Sequence, residues 1–151
     1  MIISDSTTLI ILLDSGKLEL LTNLFKKVFI PQAVYEEVTY KYQPVLPSFL
    51  HIIELEKDEL LEDLLLLLDK GESEAIALAR QKELPVIIDE KKGRKITSSL
   101  QIEIIGLLGI VYLNIKKSVI TKNEAEEFLQ NAIKNGYRIS QKLIRDMFLQ
   151  V

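Results

Sequence analysis

The chain has 151 residues, enough for one domain with a sizeable core, and its content of 48% hydrophobic and 27% charged residues is that of an ordinary globular protein. A net charge of −3 disfavours indiscriminate coating of nucleic acid. The absence of cysteine and the single histidine, His51, exclude disulfides and zinc sites built on thiolates or several histidines. A bound metal would be held by oxygen, which favours Mg²⁺ or Mn²⁺.

The apolar segments of the chain are short. The N-terminal segment meets Asp5 too early for a signal peptide and has no basic start. The apolar run at residues 64–68 is far shorter than a membrane span. We therefore expect a cytoplasmic protein with no membrane segment.

Short apolar runs alternate with helical patterns over the first two thirds of the chain, which predicts an α/β layer fold around a parallel sheet. Ser6 or Thr7 is placed to cap the first helix, whose buried stripe is predicted to be Leu9, Ile10 and Leu13. Strands are predicted at residues 1–3, 28–30, 51–55, 85–88 and 102–105. Further helices are predicted at residues 17–25, 31–40, 60–68, 90–100 and 106–117, with another beginning at residue 71, and a loop at residues 42–47.

The end of the chain predicts helices alone. Thr121 and Glu124 form a capping-box pattern at the start of a helix over residues 122–135. Ser140 is placed to cap a last helix that runs to Leu149. We expect an α/β domain over residues 1–120 and a helical extension over residues 121–151 that packs on it.

The stretch from Gly71 to Lys95 combines a helix, a buried strand and an acid at the end of that strand. Glu72 lies in the first turn of the helix, and apolar residues follow it at +3, +4 and +7, so it shares their face. Residues 85–88 are apolar without alternation, as in a central parallel strand, and Asp89 follows them. Ligands of open α/β sheets bind outside the carboxyl ends of the strands, so both acids are candidates for a ligand site.

Two further acids occupy comparable places. Asp5 ends the first strand, and Glu37 lies about 60° from the buried stripe of its helix, whereas Glu36 faces the opposite side. Clustered carboxylates repel one another and raise one another's pKa, and a divalent cation removes that penalty. A bound Mg²⁺ can activate a water and neutralise the charge that develops on a phosphodiester.

A basic run directly follows the last of these acids. Its members, Lys91, Lys92, Arg94 and Lys95, are placed to contact the phosphates of a bound polyanion, such as a nucleic-acid strand, without reading its sequence. Such a run is also typical of a solvated helix.

The acids have structural interpretations as well. An Asp between a strand and a hydroxyl residue is more often a helix cap than a metal ligand. Glu36 and Glu37 are typical of a solvated helix face, and Glu72 is placed to interact with the helix dipole. A generic α/β domain whose acids only cap helices therefore stays open.

Four segments of the chain resemble the PIN-domain family, in the branch close to VapC-type toxins. They are IISDSTTLIILLDSGKLELLTNLF, VFIPQAVYEEV, GESEAIALARQKELPVIIDEKKGRKI and IEIIGLLGIVYLNIKKSVI. The resemblance implies a three-layer α/β/α sandwich around a parallel sheet of four to five strands. It also implies cleavage of RNA by an acid cluster that depends on Mg²⁺ or Mn²⁺. The family acids, which are both catalytic and metal-binding, fall on Asp5, Glu37, Glu72 and Asp89.

Two positions depart from the pattern of many toxin members. Where those members have Asp, this chain has Glu72, with Glu74 as a possible substitute, and where they have Thr or Ser before the last acid it has Ile87 and Ile88. The resemblance further implies a homodimer and an antitoxin protein as partner. A catalytically weak or inactive PIN-like module that binds RNA or a protein stays open as the alternative.

Overall fold

Five short parallel strands form one sheet in the computed structural model, which describes residues 1–41 and 46–151. The strands are β1 (Ile2–Ser4), β2 (Val28–Ile30), β3 (Leu50–Ile52), β4 (Val86–Ile87) and β5 (Ile104–Ile105). They lie in the order β3-β2-β1-β4-β5, and each connection between parallel neighbours passes through helical segments, as parallel pairing requires. The predicted α/β class and the sheet of four to five parallel strands are confirmed.

Helices account for most of the remaining described chain. They are α1 (Ser6–Asp14), α2 (Glu19–Thr22), α3 (Gln32–Lys41), α4 (Glu59–Leu65), α5 (Lys70–Lys82), α6 (Lys91–Ser99), α7 (Leu107–Lys116), α8 (Lys122–Lys134) and α9 (Gln141–Leu149). None of the helices within the described ranges is long and apolar enough to cross a membrane. The predicted loop at residues 42–47 falls largely on residues 42–45, which lie outside the described ranges.

The core lies against the middle of the sheet. Ile3 of β1 pairs with Val86 of β4, and both side chains are fully buried, as expected for strands covered on both faces. Helix α5 packs on these two strands and contributes the buried Ala75, Ile76 and Ala79. Because alanine side chains are small, this helix lies close to the sheet. Its first turn is at the carboxyl edge of β1 and β4.

The last two helices pack on α7. The predicted capping box at the start of α8 is confirmed, since the Glu124 backbone N–H donates to Thr121 Oγ1 (3.1 Å) and the Thr121 backbone N–H donates to Glu124 Oε1 (2.9 Å). Ser140 caps α9 as predicted, by accepting from the Leu143 backbone N–H at 3.2 Å.

The prediction for the first helix is wrong in its cap and in part of its buried face. Asp5, and neither Ser6 nor Thr7, caps α1. Ile11 and Leu12 are buried, whereas two of the predicted stripe residues are only partly so. Residues 9–13 are all apolar, so this run has no helical period from which its inner face could be assigned.

The predicted helix over residues 60–68 is also too long. Helix α4 ends at Leu65, and a turn follows in which Leu66 is 85% exposed. The run of five leucines at residues 64–68 has no period, so composition alone indicates neither where the helix ends nor which leucines are buried.

Candidate metal centre

Two candidate acids meet at the carboxyl edge of the sheet. Strands β1 and β4 are parallel neighbours, with Ser4 in register with Ile87, so the chain leaves both strands on the same side. The backbone N–H of Asp89 donates to Asp5 Oδ2 at 3.2 Å. Asp5 and Asp89 therefore lie side by side, at the ends of two neighbouring parallel strands.

Asp5 is buried, with 3% of its surface exposed, and it is the N-cap of α1. Its Oδ1 accepts from the backbone N–H of Thr8 at 3.3 Å. Burial, and next the negative charge of Asp89, raise the pKa of Asp5 from 3.8 to about 8, although the hydrogen bonds from Thr8 and Asp89 lower it. Without a cation, the folded protein thus holds Asp5 largely in its neutral form below that pH.

Asp89 is engaged through both of its carboxylate oxygens. Oδ2 accepts a short hydrogen bond from the Thr8 hydroxyl, and Oδ1 accepts from the backbone N–H of Leu107 at 3.0 Å. Leu107 begins α7, and the N-cap Gly106 has no side chain with which to accept that hydrogen bond. Asp89 therefore joins the starts of α1 and α7 while each oxygen keeps a lone pair that can reach a cation.

Glu72 belongs to a second group of acids, together with Asp69 and Glu90. One carboxylate oxygen of each residue lies within 4.8 Å of the other two, a separation at which a cation can be shared, and in the described ranges this is the one such set of three. Asp69 caps α5 through the Glu72 backbone N–H (2.8 Å), and Glu90 occupies the N-cap position of α6.

The carboxylate of Glu72 is the innermost of this group. The residue is 8% exposed, and its Oε2 is buried without a hydrogen-bond partner among the described residues. Burial, followed by the neighbouring Glu90 and Asp69, strongly raises the pKa of Glu72. A Cβ atom on Gly93 would lie 2.6 Å from Oε2, so the glycine leaves the space that this oxygen faces. An unpaired oxygen among carboxylates is a donor set suited to a hard divalent cation.

Glu37 lies between the two groups of acids. Its Oε2 accepts from the Ser6 hydroxyl at 2.7 Å, next to Asp5, and its Oε1 would lie 1.9 Å from a Cβ atom on Gly71, next to Glu72. Burial first, and then the charges of Asp69 and Glu74, raise the pKa of Glu37, while the hydrogen bond from Ser6 lowers it. Glu37 and its neighbour Glu36 are both exposed, as predicted for Glu36, and both line an open cleft of about 820 Å³.

Glu74, the possible substitute for Glu72, has a different partner. It is buried, and its Oε1 accepts from the backbone N–H of Ala33 at 3.1 Å. Ala33 lies in the first turn of α3, where backbone N–H groups have no partner within the helix. Glu74 thus serves as an acceptor for that helix end.

The four predicted RNA-binding residues lie in the first turns of α6. Lys91, Lys92, Arg94 and Lys95 are exposed, whereas Gly93 and Thr97 form the buried face of the helix. The basic side chains therefore border the acids on the solvent side. Their contact with RNA stays a prediction.

Sequence reasoning missed Asp69 and Glu90. Asp69 has a usable signal, since an Asp three residues before a Glu at a helix start is a capping pattern. Because the predicted leucine-rich helix extended to residue 68, Asp69 was not considered as the cap of the next helix. Glu90 follows Asp89 directly in the chain, but Glu90 lies with Asp69 and Glu72, whereas Asp89 lies beside Asp5.

The fold and these acids define an α/β protein with an oxygen-donor site over the carboxyl ends of β1 and β4. A family model described as a PIN domain matches residues 1–151. The chain belongs to the PIN-domain family. No curated protein matched it. Family membership supports a nuclease that uses a divalent metal and binds nucleic acid, and it does not distinguish the VapC-type branch.

Proposed function

We propose that the protein is a ribonuclease that depends on Mg²⁺ or Mn²⁺ and cleaves RNA phosphodiester bonds. The observation that carries the proposal is the buried, unpaired Oε2 of Glu72, which lies beside the carboxylates of Asp69 and Glu90 in the described part of the chain. Burying a carboxyl group without a partner is costly, and a cation shared with two further acids would offset that cost.

The cation would be held by Glu72, with Asp69 and Glu90 as its nearest companions. The proposed metal-binding set also includes the other predicted catalytic acids, Asp5, Glu37 and Asp89. Glu37 links them to Glu72, because it accepts from Ser6 beside Asp5 and lies against Gly71 beside Glu72. When bound, the ion supplies an activated water and neutralises charge that develops on the phosphodiester.

The protein's own groups have separate roles in this proposal. Asp5 and Asp89 fix the starts of α1 and α7 through their backbone hydrogen bonds. Glu37, held by Ser6, is the acid of this set that lines the open cleft, and it is placed to orient a water. The exposed basic residues of α6 hold the RNA backbone through its phosphates.

A second function is favoured by one feature of the site. Both oxygens of Asp89 are already engaged by Thr8 and Leu107, and no hydroxyl residue stands at positions 87 and 88. A PIN-like module that binds RNA or a protein partner without catalysis needs no free acid here. Binding of RNA without cleavage, at saturating Mn²⁺, would select this second function.

The resemblance is the basis for proposing the toxin of a toxin–antitoxin pair, a cognate antitoxin protein and a homodimer. The cytoplasmic location is proposed from the short apolar segments of the sequence. The division into residues 1–120 and 121–151 likewise stays a prediction. Growth arrest on expression that depends on Glu72 would support the toxin role, and light scattering at tens of micromolar protein tests the dimer.

The central experiment compares wild type with Glu72→Gln in two assays. Calorimetric titration with Mn²⁺ and cleavage of a single-stranded RNA should both be lost in Glu72→Gln. Glu62→Gln, which alters an exposed acid on α4, is the matched control and should behave as wild type. Cleavage by Glu72→Gln at the wild-type rate would contradict the proposal.

A further inference from the structure

A small pocket adjoins the candidate site on the side of Asp89. Its volume is about 160 Å³, several times the ~30 Å³ that one water occupies. It lies between the carboxyl edge of the sheet and the segment that links α8 to α9. We call it the arginine pocket, and it is lined by Thr7, Ile11, Asp89, Arg94, Leu107, Leu108, Tyr137, Arg138, Ile139, Ser140 and Leu143.

The charges in the arginine pocket are unbalanced. Two guanidinium groups, from Arg94 and Arg138, line it together with one carboxylate, that of Asp89. The carboxylate oxygens accept from Thr8 and Leu107, and neither arginine has a hydrogen bond or an ion pair to any residue within the described ranges. By formal charge, two arginines and one aspartate give the pocket a net charge of about +1, which complements a phosphodiester monoanion.

The guanidinium of Arg94 lies at the edge of the site, next to Gly106. A Cβ atom on Gly106 would lie 2.3 Å from Arg94 Nη1 and 3.1 Å from Asp89 Oδ1. Both side chains therefore lie in the space that a side chain at position 106 would occupy. The guanidinium of Arg94 is therefore beside the strand-end acid while it faces the pocket. A planar guanidinium presents several N–H donors that match the oxygens of a phosphate.

The rest of the lining is mainly apolar. Ile11, Leu108 and Leu143 supply walls without hydrogen-bonding groups. Such walls can pack against the C–H groups of the sugar that a phosphate carries, and they offer no hydrogen-bond acceptor to a hydrated metal ion. The volume accommodates a phosphate with part of its ribose.

We propose that the arginine pocket binds a phosphate group of the RNA strand beside the scissile bond, an inference that rests on the ribonuclease function proposed above. Arg94 and Arg138 hold its oxygens. Arg138 lies in the segment between α8 and α9, so the C-terminal helices contribute directly to substrate binding. The phosphate is either an internal phosphodiester or the 5′-terminal phosphate of the strand.

The test measures binding of a fluorescent 12-nucleotide RNA in EDTA over a series of salt concentrations. Arg138→Ala and Arg94→Ala should each weaken binding about 5- to 10-fold and reduce the slope of log affinity against log salt by about 0.7, the loss of one single-strand phosphate contact. Arg138→Lys should be intermediate, because it keeps the charge without the planar donors. Lys134→Ala, at the end of α8 and outside the pocket, is the matched control and should change the affinity less than about twofold.

Two further arms separate the possible outcomes. Equal losses with 5′-hydroxyl and 5′-phosphorylated RNA support an internal phosphodiester, and a loss confined to the phosphorylated strand supports the terminal phosphate. The Mn²⁺-induced rise in Tm should be the same in Arg138→Ala and wild type. A wild type that binds RNA through Arg138 but does not cleave it contradicts the nuclease proposal alone. Affinity and slope in Arg138→Ala equal to those of Lys134→Ala would overturn the arginine pocket.

Discussion

Replacing Asp5 with asparagine should change how stability depends on pH. Asp5 is buried at the junction of β1, α1 and β4, where its folded-state pKa is about 8 compared with 3.8 in the unfolded chain. Between these two values the folded protein binds a proton that the unfolded chain releases. The free energy of unfolding of the metal-free wild type should therefore fall as pH rises from about 4 to 8.

The size of the effect follows from the same two values. Each pKa unit corresponds to about 1.4 kcal/mol, so ionisation of Asp5 costs on the order of 5 kcal/mol when complete. The asparagine of the variant cannot ionise, but its amide can replace only one of the two acceptor oxygens that serve Thr8 and Asp89, which costs about 1 kcal/mol. The variant should thus be slightly less stable than wild type near pH 4 and more stable by several kcal/mol at pH 8.5.

Urea unfolding in EDTA at a series of pH values from 4 to 8.5 measures this difference. Taking the difference between wild type and Asp5→Asn cancels the contribution of other raised acids, such as Glu72. Asp63→Asn, which alters an exposed acid of α4, controls for the loss of one negative charge. A difference curve that is flat across this range, or that shows the variant losing stability as pH rises, would refute the reasoning.

Three other predictions concern single contacts. Gly93→Ala places a Cβ atom 2.6 Å from Glu72 Oε2, so it should weaken Mn²⁺ binding at least about tenfold by calorimetry, and Mn²⁺ affinity equal to wild type would contradict the assigned site. Glu74→Ala removes the acceptor for the Ala33 N–H and should cost about 1–2 kcal/mol in urea unfolding, whereas Glu74→Gln keeps an amide oxygen and should cost less; a matching loss in both would exclude the capping role. Thr121→Ala breaks the capping box of α8 and should lower the free energy of unfolding by about 1 kcal/mol without altering the rate of RNA cleavage. A changed cleavage rate would contradict a purely structural role for this cap.

The sequence predicted the fold well where the pattern of apolar residues matches the residues that are buried. Residues 85–88 are uniformly apolar because β4 is covered on both faces, and the acid after each central strand marks its carboxyl end. Those two signals were enough to mark Asp5 and Asp89 as acids at strand ends, whereas the strand order of the sheet makes them neighbours. The capping box at Thr121 was equally readable, because all of its atoms lie within one helical turn.

The grouping of the acids depends on contacts that no local pattern encodes. Glu72 meets Glu90 because α5 and α6 begin at the same edge of the sheet, and the missing side chain of Gly93 lets its carboxylate lie against α6. Glu37 of α3 likewise lies against α5 because Gly71 has no side chain, although the two helices are distant in the chain. Sequence spacing identified Glu37 and Glu72 as candidates. Which acids lie close together depends on how closely each carboxylate can approach a glycine of a neighbouring helix.

The most direct test of the proposed site is an anomalous difference map from crystals soaked in MnCl₂ near neutral pH. We predict a peak at coordination distance, roughly 2.0–2.4 Å, from Glu72 Oε2, with Asp69 or Glu90 as a further ligand. A Glu72→Gln crystal soaked in the same way should lack the peak. A wild-type map with no peak near Glu72, or with manganese bound only to acids elsewhere on the surface, would contradict the metal-dependent account.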